Sequence, residues 1–351
     1  MTGNTPLVTV MIATRDRPED LRQTLRLLRE LEYPAIEMLV IDDGSTLPAA
    51  PLVLDVWPDA RVIRHDIGMG QCTRRNEGFA LASGRYILHL DDDCALVGRN
   101  ALRRAVELLE GHPKAAALVP YLYNGLELPP DLSPVSNSGC VLSFVGACVL
   151  LRKEAISKCC GYREFFASHY EEDELSLQLI SGGWYLWYRG DVVAHHRLSP
   201  RNRQPSRAWQ RGLRNMLWSI LMHMPAKTLA LELGWKIGMG AWDAVRLRRP
   251  VAYLNALREF FLGSPRVSRL RNPMNSLAYR RVCRMRSGGL IQLSDFEAPG
   301  SVRFSDMMNW FARWRGRARD RSFWDPRPGD TGTSITVGYA HESKMRRPEV
   351  G

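Results

Sequence analysis

Three carboxylates close the stretch Arg85-Tyr86-Ile87-Leu88-His89-Leu90-Asp91-Asp92-Asp93. The apolar residues before them read as a buried strand. Strand alternation sets Asp91 and Asp93 on one side and Asp92 on the other. Burying three like charges is costly, so this edge is expected to face water, a cation or both. Hard divalent ions such as Mn²⁺ or Mg²⁺ take oxygen ligands, typically a carboxylate or two plus substrate phosphates. An acidic triplet is also an ordinary solvated loop, so its meaning depends on its neighbours.

Other polar clusters are placed in the same way. Thr14-Arg15 follows a strand over Pro6–Ala13, and Asp42-Asp43-Gly44-Ser45-Thr46 follows a strand over Ile36–Ile41. Gly68-Met69-Gly70 opens a helix that runs to about Ala82 and ends at Ser83-Gly84, and Arg74 and Arg75 on it are cations within reach of a phosphate. Glu171-Glu172-Asp173-Glu174 begins another helix. There the helix dipole favours ionised acids, which suits a carboxylate base, although first turns are commonly acidic without any chemistry. His195-His196 ends a late strand, with one ring facing the packed side and the other the cleft or solvent.

The elements between these clusters fix where they meet. Pro18, Glu19 and Asp20 start a helix with an apolar stripe of Leu21, Leu25, Leu28 and Leu31. A short strand covers Ala60–Ile63. Strands alternating with helices predict an α/β fold, a mostly parallel sheet with helices on both faces. Ligands of such sheets bind beyond the carboxyl ends of the strands, where Thr14-Arg15, Asp42-Asp43 and Asp91–Asp93 all fall. Tyr121–Gly139, with three prolines, reads as a long loop, and Trp184, Trp187 and Tyr188 read as core.

Val8–Arg17, Leu39–Thr46, Arg75-Asn76-Glu77-Gly78 and Leu90–Asp93 resemble the successive signatures of family 2 glycosyltransferases with the GT-A fold. The likeness continues through Gly146–Arg152, Glu171–Leu175 and Val192–His196, and covers about residues 6–200. The resemblance implies that Thr14, Arg15, Asp42 and Asp43 hold the nucleotide base and ribose, with Asp92 also on the donor side. It implies that Arg75 meets the diphosphate, while Asp91 and Asp93 bind Mn²⁺ or Mg²⁺ and ribose. Glu172 is then the base, with Asp173 second to it, and His195 rather than His196 is the metal or diphosphate histidine. The partners implied are a nucleotide-diphosphate sugar and a hydroxyl acceptor, a glycan or a lipid-linked sugar of the cell envelope, with inversion at the sugar. Two departures stand out: Glu172 occupies a position where the family often has Asp, and Cys159-Cys160 replaces its usual Gly-Gly.

Charge divides the chain. Residues 1–196 carry 19 Lys+Arg against 26 Asp+Glu, whereas 197–330 carry 26 against 9. The expected organisation is a catalytic domain over 1–200, a basic helical region over 201–330 and a flexible tail over 331–351. Trp209, Leu213, Met216, Leu217 and Ile220 share one helical face, and Leu229–Trp242 and Val251–Phe261 read as further helices. Arginine-rich amphipathic helices suit an anionic membrane surface, though they also suit plain packing on the sheet. No reading motif accompanies the charge, so no nucleic acid partner is expected. Seven cysteines, with no Cys-x-x-Cys spacing, favour a reducing compartment. No signal peptide or membrane span is recognised, so a cytoplasmic site is expected, peripheral to the inner face of the membrane. Two other readings explain parts of the pattern: a nucleotidyltransferase using the same acids, and a non-catalytic basic protein that binds membrane or nucleic acid.

Overall fold

The computed structural model describes residues 5–130, 132, 134–198 and 205–301. Its first part alternates as expected: β1 (Val8–Thr14), α1 (Pro18–Arg29), β2 (Ile36–Asp42), α2 (Ala50–Val56), β3 (Arg61–Arg64), α3 (Gln71–Leu81) and β4 (Tyr86–Asp91). Then come β5 (Cys94–Leu96), α4 (Ala101–Glu110), β6 (Ala115–Asn124), β7 (Ser138–Val141), β8 (Cys148–Arg152), α5 (Lys153–Ile156), α6 (Glu171–Ser181) and β9 (Tyr185–His196). One nine-stranded sheet runs β3-β2-β1-β4-β8-β6-β9-β5, with β7 added beside β9.

The first four strands of that order are parallel, and β8 then pairs antiparallel with β4. Register decides where the polar ends meet. Thr14 lies opposite Asp42, and Ala13 opposite Asp91, so the ends of β1, β2 and β4 form one edge. The strands feeding that edge are buried on both faces, as a helix-covered parallel sheet requires. Gly78 lets α3 lie close on β1, since a Cβ there would run into the Met11 thioether.

Some boundaries differ from expectation. The stretch Tyr121–Gly139 is not all loop: β6 continues to Asn124 and β7 starts at Ser138. Pro120, just before this stretch, is tolerated inside β6 because it sits at a register shift between β6 and β9. The end of α3 is not a left-handed glycine cap; Ala82 is extended and Gly84 lies tight against backbone of Thr9 and Leu7.

Among the described residues five helices follow: α7 (Pro205–His223), α8 (Ala226–Arg246), α9 (Pro250–Ser268), α10 (Ser276–Gly288) and α11 (Leu293–Glu297). Ile220, Met224, Val282, Met285 and Phe296 join the main core, so α7, α10 and α11 close over the sheet layer. A second cluster gathers Phe166 with Trp209, Leu217, Trp218 and Phe260. Among the described residues no helix is long and apolar enough to cross a membrane. The boundary expected at residue 200 falls within 199–204, and the tail expected over 331–351 also lies outside the described residues.

Candidate active site

Of the alternatives expected for the acids after β4, water or a cation, two of the three meet a cation and are buried. Asp92 and Asp93 are almost inaccessible, whereas Asp91 keeps about a third of its side chain exposed. The cation that makes this tolerable is Arg17, with Nη1 2.5 Å from Asp92 and Nη2 2.5 Å from Asp93. Thr14 Oγ1 donates to Asp92 at 2.7 Å, and Thr24 donates to the Asp92 carbonyl. Asp92 is thus a buried anchor of β1 rather than a donor-facing group.

Asp91, Asp93 and His196 bring one ligand atom each to within 4.8 Å of one another. Two carboxylates and an imidazole fit Mn²⁺ well and leave positions for phosphate oxygens. His196 Nε2 lies 3.2 Å from Asp93 Oδ1, while His195 Nε2 bonds the Gly125 carbonyl at 2.8 Å. The ring that lies with the two acids is therefore His196, not the expected His195. Strand alternation sends one ring to the cleft and the other to the packed side, and the register of β5 against β9 pairs His196 with Cys94, directly after Asp93.

The expected base and ribose ligands are mostly committed inside the protein. Asp42 accepts from the Ser45 and Ala49 amides and from Arg64, and Asp43 accepts from the Met69 and Gly70 amides and from Arg74. The two acids fix the loops after β2 and before α3. Arg15 stays more than half exposed, with its guanidinium lying over Gly68. Arg74, expected near phosphate, pairs with Asp43 and Glu77.

Arg75 is also not open to a diphosphate. It is buried, with Nη2 2.9 Å from Asp91 and Nη1 3.3 Å from Glu171 and 3.5 Å from Glu172. Burial works against its charge, but Asp91, Tyr162, Glu172 and Glu171 together raise its pKa above the ordinary value. This guanidinium ties the cation cluster to the acidic helix α6. Gly146 permits the approach, because a Cβ there would run into Glu172 and Arg75.

The acids of α6 do not all face the cleft. Glu174 is inside, held by His223 at 2.8 Å and Arg163 at 3.0 Å. Glu171 is buried against Arg75 and Gln71. Glu172 is partly open, and burial first and the Glu171 charge second push it up to about 8. Asp173 is pushed up to about 7 by burial and Glu172, against a hydrogen bond from Ser143 and the charge of Arg286. The expected effect of the helix dipole is thus overridden: desolvation is worth more than the first-turn field.

The chain enters α6 through an unusual turn. Ala167, His169 and Tyr170 all have φ between 62° and 71°, a region non-glycine residues seldom adopt. Such strain persists only where surroundings impose it. Asn215, fully buried on α7, directs Nδ2 at the carbonyls of Phe166, Ser168 and His169 at 3.1, 3.0 and 2.7 Å. Arg214 adds a bond to the Phe166 carbonyl, and Arg211 one to Ser168 Oγ. The helical region therefore holds the segment that presents Glu172. Arg17 was detectable beforehand as a cation two residues beyond Arg15 at the acidic edge; Asn215, one polar residue in a helix, carried no signal.

Residues 9–133 match the model of glycosyl transferase family 2. O-antigen biosynthesis protein RfbC of Myxococcus xanthus is 28% identical over 207 residues, covering 51% of this chain but only 16% of its own length. S. aureus TarS 1-349, solved with UDP-GlcNAc, superposes with a TM-score of 0.55 at 16% identity, covering 88% of this chain and 92% of that one. Mannosyltransferase PcManGT from Pyrobaculum calidifontis, solved with GDP-Man and Mn2+, gives a TM-score of 0.51 at 16% identity, covering 92% and 89%. At such identity the two structures speak for a shared fold, and the matched segment contains β1, β2, β4 and every acid of the cation cluster. Over residues 9–133, then, the chain is similar to glycosyl transferase family 2.

Proposed function

We propose that the protein is a metal-dependent, inverting glycosyltransferase that moves a sugar from a nucleotide-diphosphate donor to a hydroxyl of a cell-envelope glycan or lipid-linked sugar. One observation carries the reading: a cation cluster of Asp91, Asp93 and His196 lies across the buried Arg75 from a separate, partly open carboxylate, Glu172. The family match and the nucleotide-sugar complexes of TarS and PcManGT support the donor class, and the Mn2+ of PcManGT supports the cofactor. The O-antigen role named for RfbC supports an envelope acceptor.

A divalent ion bound at Asp91, Asp93 and His196 would neutralise the diphosphate and act as Lewis acid as it departs. The remaining steps belong to the chain. Glu172 in its ionised form accepts the proton of the acceptor hydroxyl, whose oxygen bonds the anomeric carbon as the carbon–diphosphate oxygen bond breaks. A single displacement from the face opposite the leaving group inverts the configuration. Arg75 keeps Asp91 and the α6 acids at fixed separation, and Arg17 keeps Asp93 in place. Asp173 stands next to Glu172 as the alternative base. The catalytic domain is assigned to 1–200 and the helical region to 201–330, and all seven cysteines are free, which supports a cytoplasmic site.

A thermal-shift screen of UDP-, GDP-, dTDP- and CDP-sugars with and without Mn²⁺ tests the donor, since a ligand of the native state raises its melting temperature by mass action. A donor that stabilises only with Mn²⁺ is expected, and NMR of the transferred sugar should show the inverted anomer. Stabilisation indifferent to chelator, or a retained anomer, would overturn the metal or the displacement.

A further inference from the structure

The helix α8 has a buried face and, opposite it, an exposed apolar one. Gly240 and Ala244 turn inward, with the buried Lys236 and Glu232. The outward stripe holds Leu231, Trp242 and Val245, which are 52%, 66% and 76% exposed. Every exposed residue from Ala230 to Val245 is apolar or glycine. The next helix continues the surface. Tyr253 Oη donates to the Ile237 carbonyl at 3.1 Å, tying α9 to α8, and Val251, Leu254, Phe261 and Leu262 on α9 are 62–70% exposed. A surface helix ordinarily puts its charged residues there, and contiguous exposed apolar patches mark interaction sites.

Charge says what the partner is. From residue 226 to 271 the exposed charged residues are Lys227, Arg246, Arg248, Arg258, Arg266 and Arg269, while the acids Asp243 and Glu259 are half-buried, Glu259 against Arg214. A second copy would bring this cationic face against itself. Residues 302–351 carry ten Lys+Arg against six Asp+Glu, so that segment has the same sign. Arg248 carries its charge at an unusual backbone position. The Arg249 amide bonds the Ala244 carbonyl and the Arg248 amide the Val245 carbonyl, a helix end that places Arg248 at φ 54°. Glycine is the usual residue at that left-handed position. An arginine stands there, at the tip of the hairpin, against the backbone preference.

We propose that the outer face of the α8–α9 hairpin docks in the plane of an anionic lipid bilayer. Trp242, Val245, Val251 and Leu254 enter the acyl boundary, while Arg246 and Arg248 meet headgroup phosphates. The hairpin lies on the membrane and does not cross it. This docking is independent of the transfer chemistry.

Co-sedimentation of the full chain with phosphatidylcholine vesicles, with and without phosphatidylglycerol, tests it. Binding should require the anionic lipid and weaken with salt. Arg248→Gly should keep the fold, because glycine suits that position, and weaken binding about fivefold. The double variant Val245→Asp/Leu254→Asp alters exposed side chains only; its melting temperature should stay near wild type while binding falls tenfold or more. Equal sedimentation of wild type and both variants, or no preference for anionic vesicles, overturns the proposal. A lipid-free dimer by light scattering that the double variant dissociates assigns the face to a second copy instead.

Discussion

Arg75 and Asp91 are joined by a 2.9 Å hydrogen bond in which the arginine is buried and the acid is the most exposed of its triplet. The same guanidinium lies against Glu171 and Glu172. One side chain therefore balances carboxylates from both sides of the cleft. Arg75→Met leaves those acids without their cation, and removing one partner of a buried pair typically costs about 3–5 kcal/mol. Chemical denaturation should show that loss, with part of it restored when Glu171→Gln is added. A loss within error of zero would mean the acids are neutral and need no arginine.

The histidine assignment separates two adjacent rings. His196→Asn should weaken Mn²⁺ binding by about tenfold or more, as loss of a ligand or its orienting partner commonly does, while His195→Asn leaves it nearly unchanged. Calorimetric titration in the presence of nucleotide reads both. If His195→Asn has the larger effect, the ring bonded to Gly125 must turn toward the cleft on binding.

Asn215 acts at a distance from the reacting atoms. Asn215→Ala takes a donor from the carbonyls of Ser168 and His169, while the Phe166 carbonyl keeps Arg214, and an unsatisfied buried polar group costs about 1–3 kcal/mol. The turn before Glu171 should loosen, seen as faster amide exchange over 166–172. Turnover should fall while donor affinity holds, because the cation cluster is untouched. An equal fall in both would mark a general loss of fold.

The parallel core and its polar edge were legible because period and position are local. Leu39–Ile41 and Ile87–Leu90 could only be buried strands, and polar residues directly after them had to share an edge. What each polar residue does there was not legible. Asp42, Asp43, Arg74 and Asp92 have the residue types of ligand groups, yet their hydrogen bonds go to loops and to one another. Those partners, such as Arg64 and the Gly70 amide, lie some 20 to 30 residues away, and only the folded register brings them close. His195 and His196 could not be separated because alternation gives two faces without saying which is the cleft. The state of Glu172 was misread for a related reason. A first helical turn predicts an ionised acid, whereas the cover laid over it by Gly146 and the packed helices predicts a neutral one.

The pH dependence of Glu172 follows from that cover. Its folded pKa, about 8, stands above the ordinary carboxylate value because burial and Glu171 disfavour the charge. A base must be ionised, so turnover should climb with pH, reach half its maximum near pH 8 and level off only above about pH 9, whereas an ordinary carboxylate would already be flat at pH 6. Glu172→Gln should lower turnover by 10²–10⁴-fold, about 3–5 kcal/mol in the barrier, and abolish that rise, with donor binding nearly unchanged. Stability should move the other way. A carboxyl with a raised folded pKa penalises the native state as pH climbs from its unfolded value, near 4.5, to its folded value. Relative to wild type, Glu172→Gln should therefore gain nothing in melting temperature at pH 4, gain progressively between pH 5 and 8, and hold that gain above. Asp173→Asn is the control for the neighbouring acid, itself pushed up to about 7. If Asp173→Asn alone removes the pH rise and the turnover, the base is Asp173. If neither variant loses turnover, the acids of α6 serve the buried Arg75 and the acceptor proton leaves by another route.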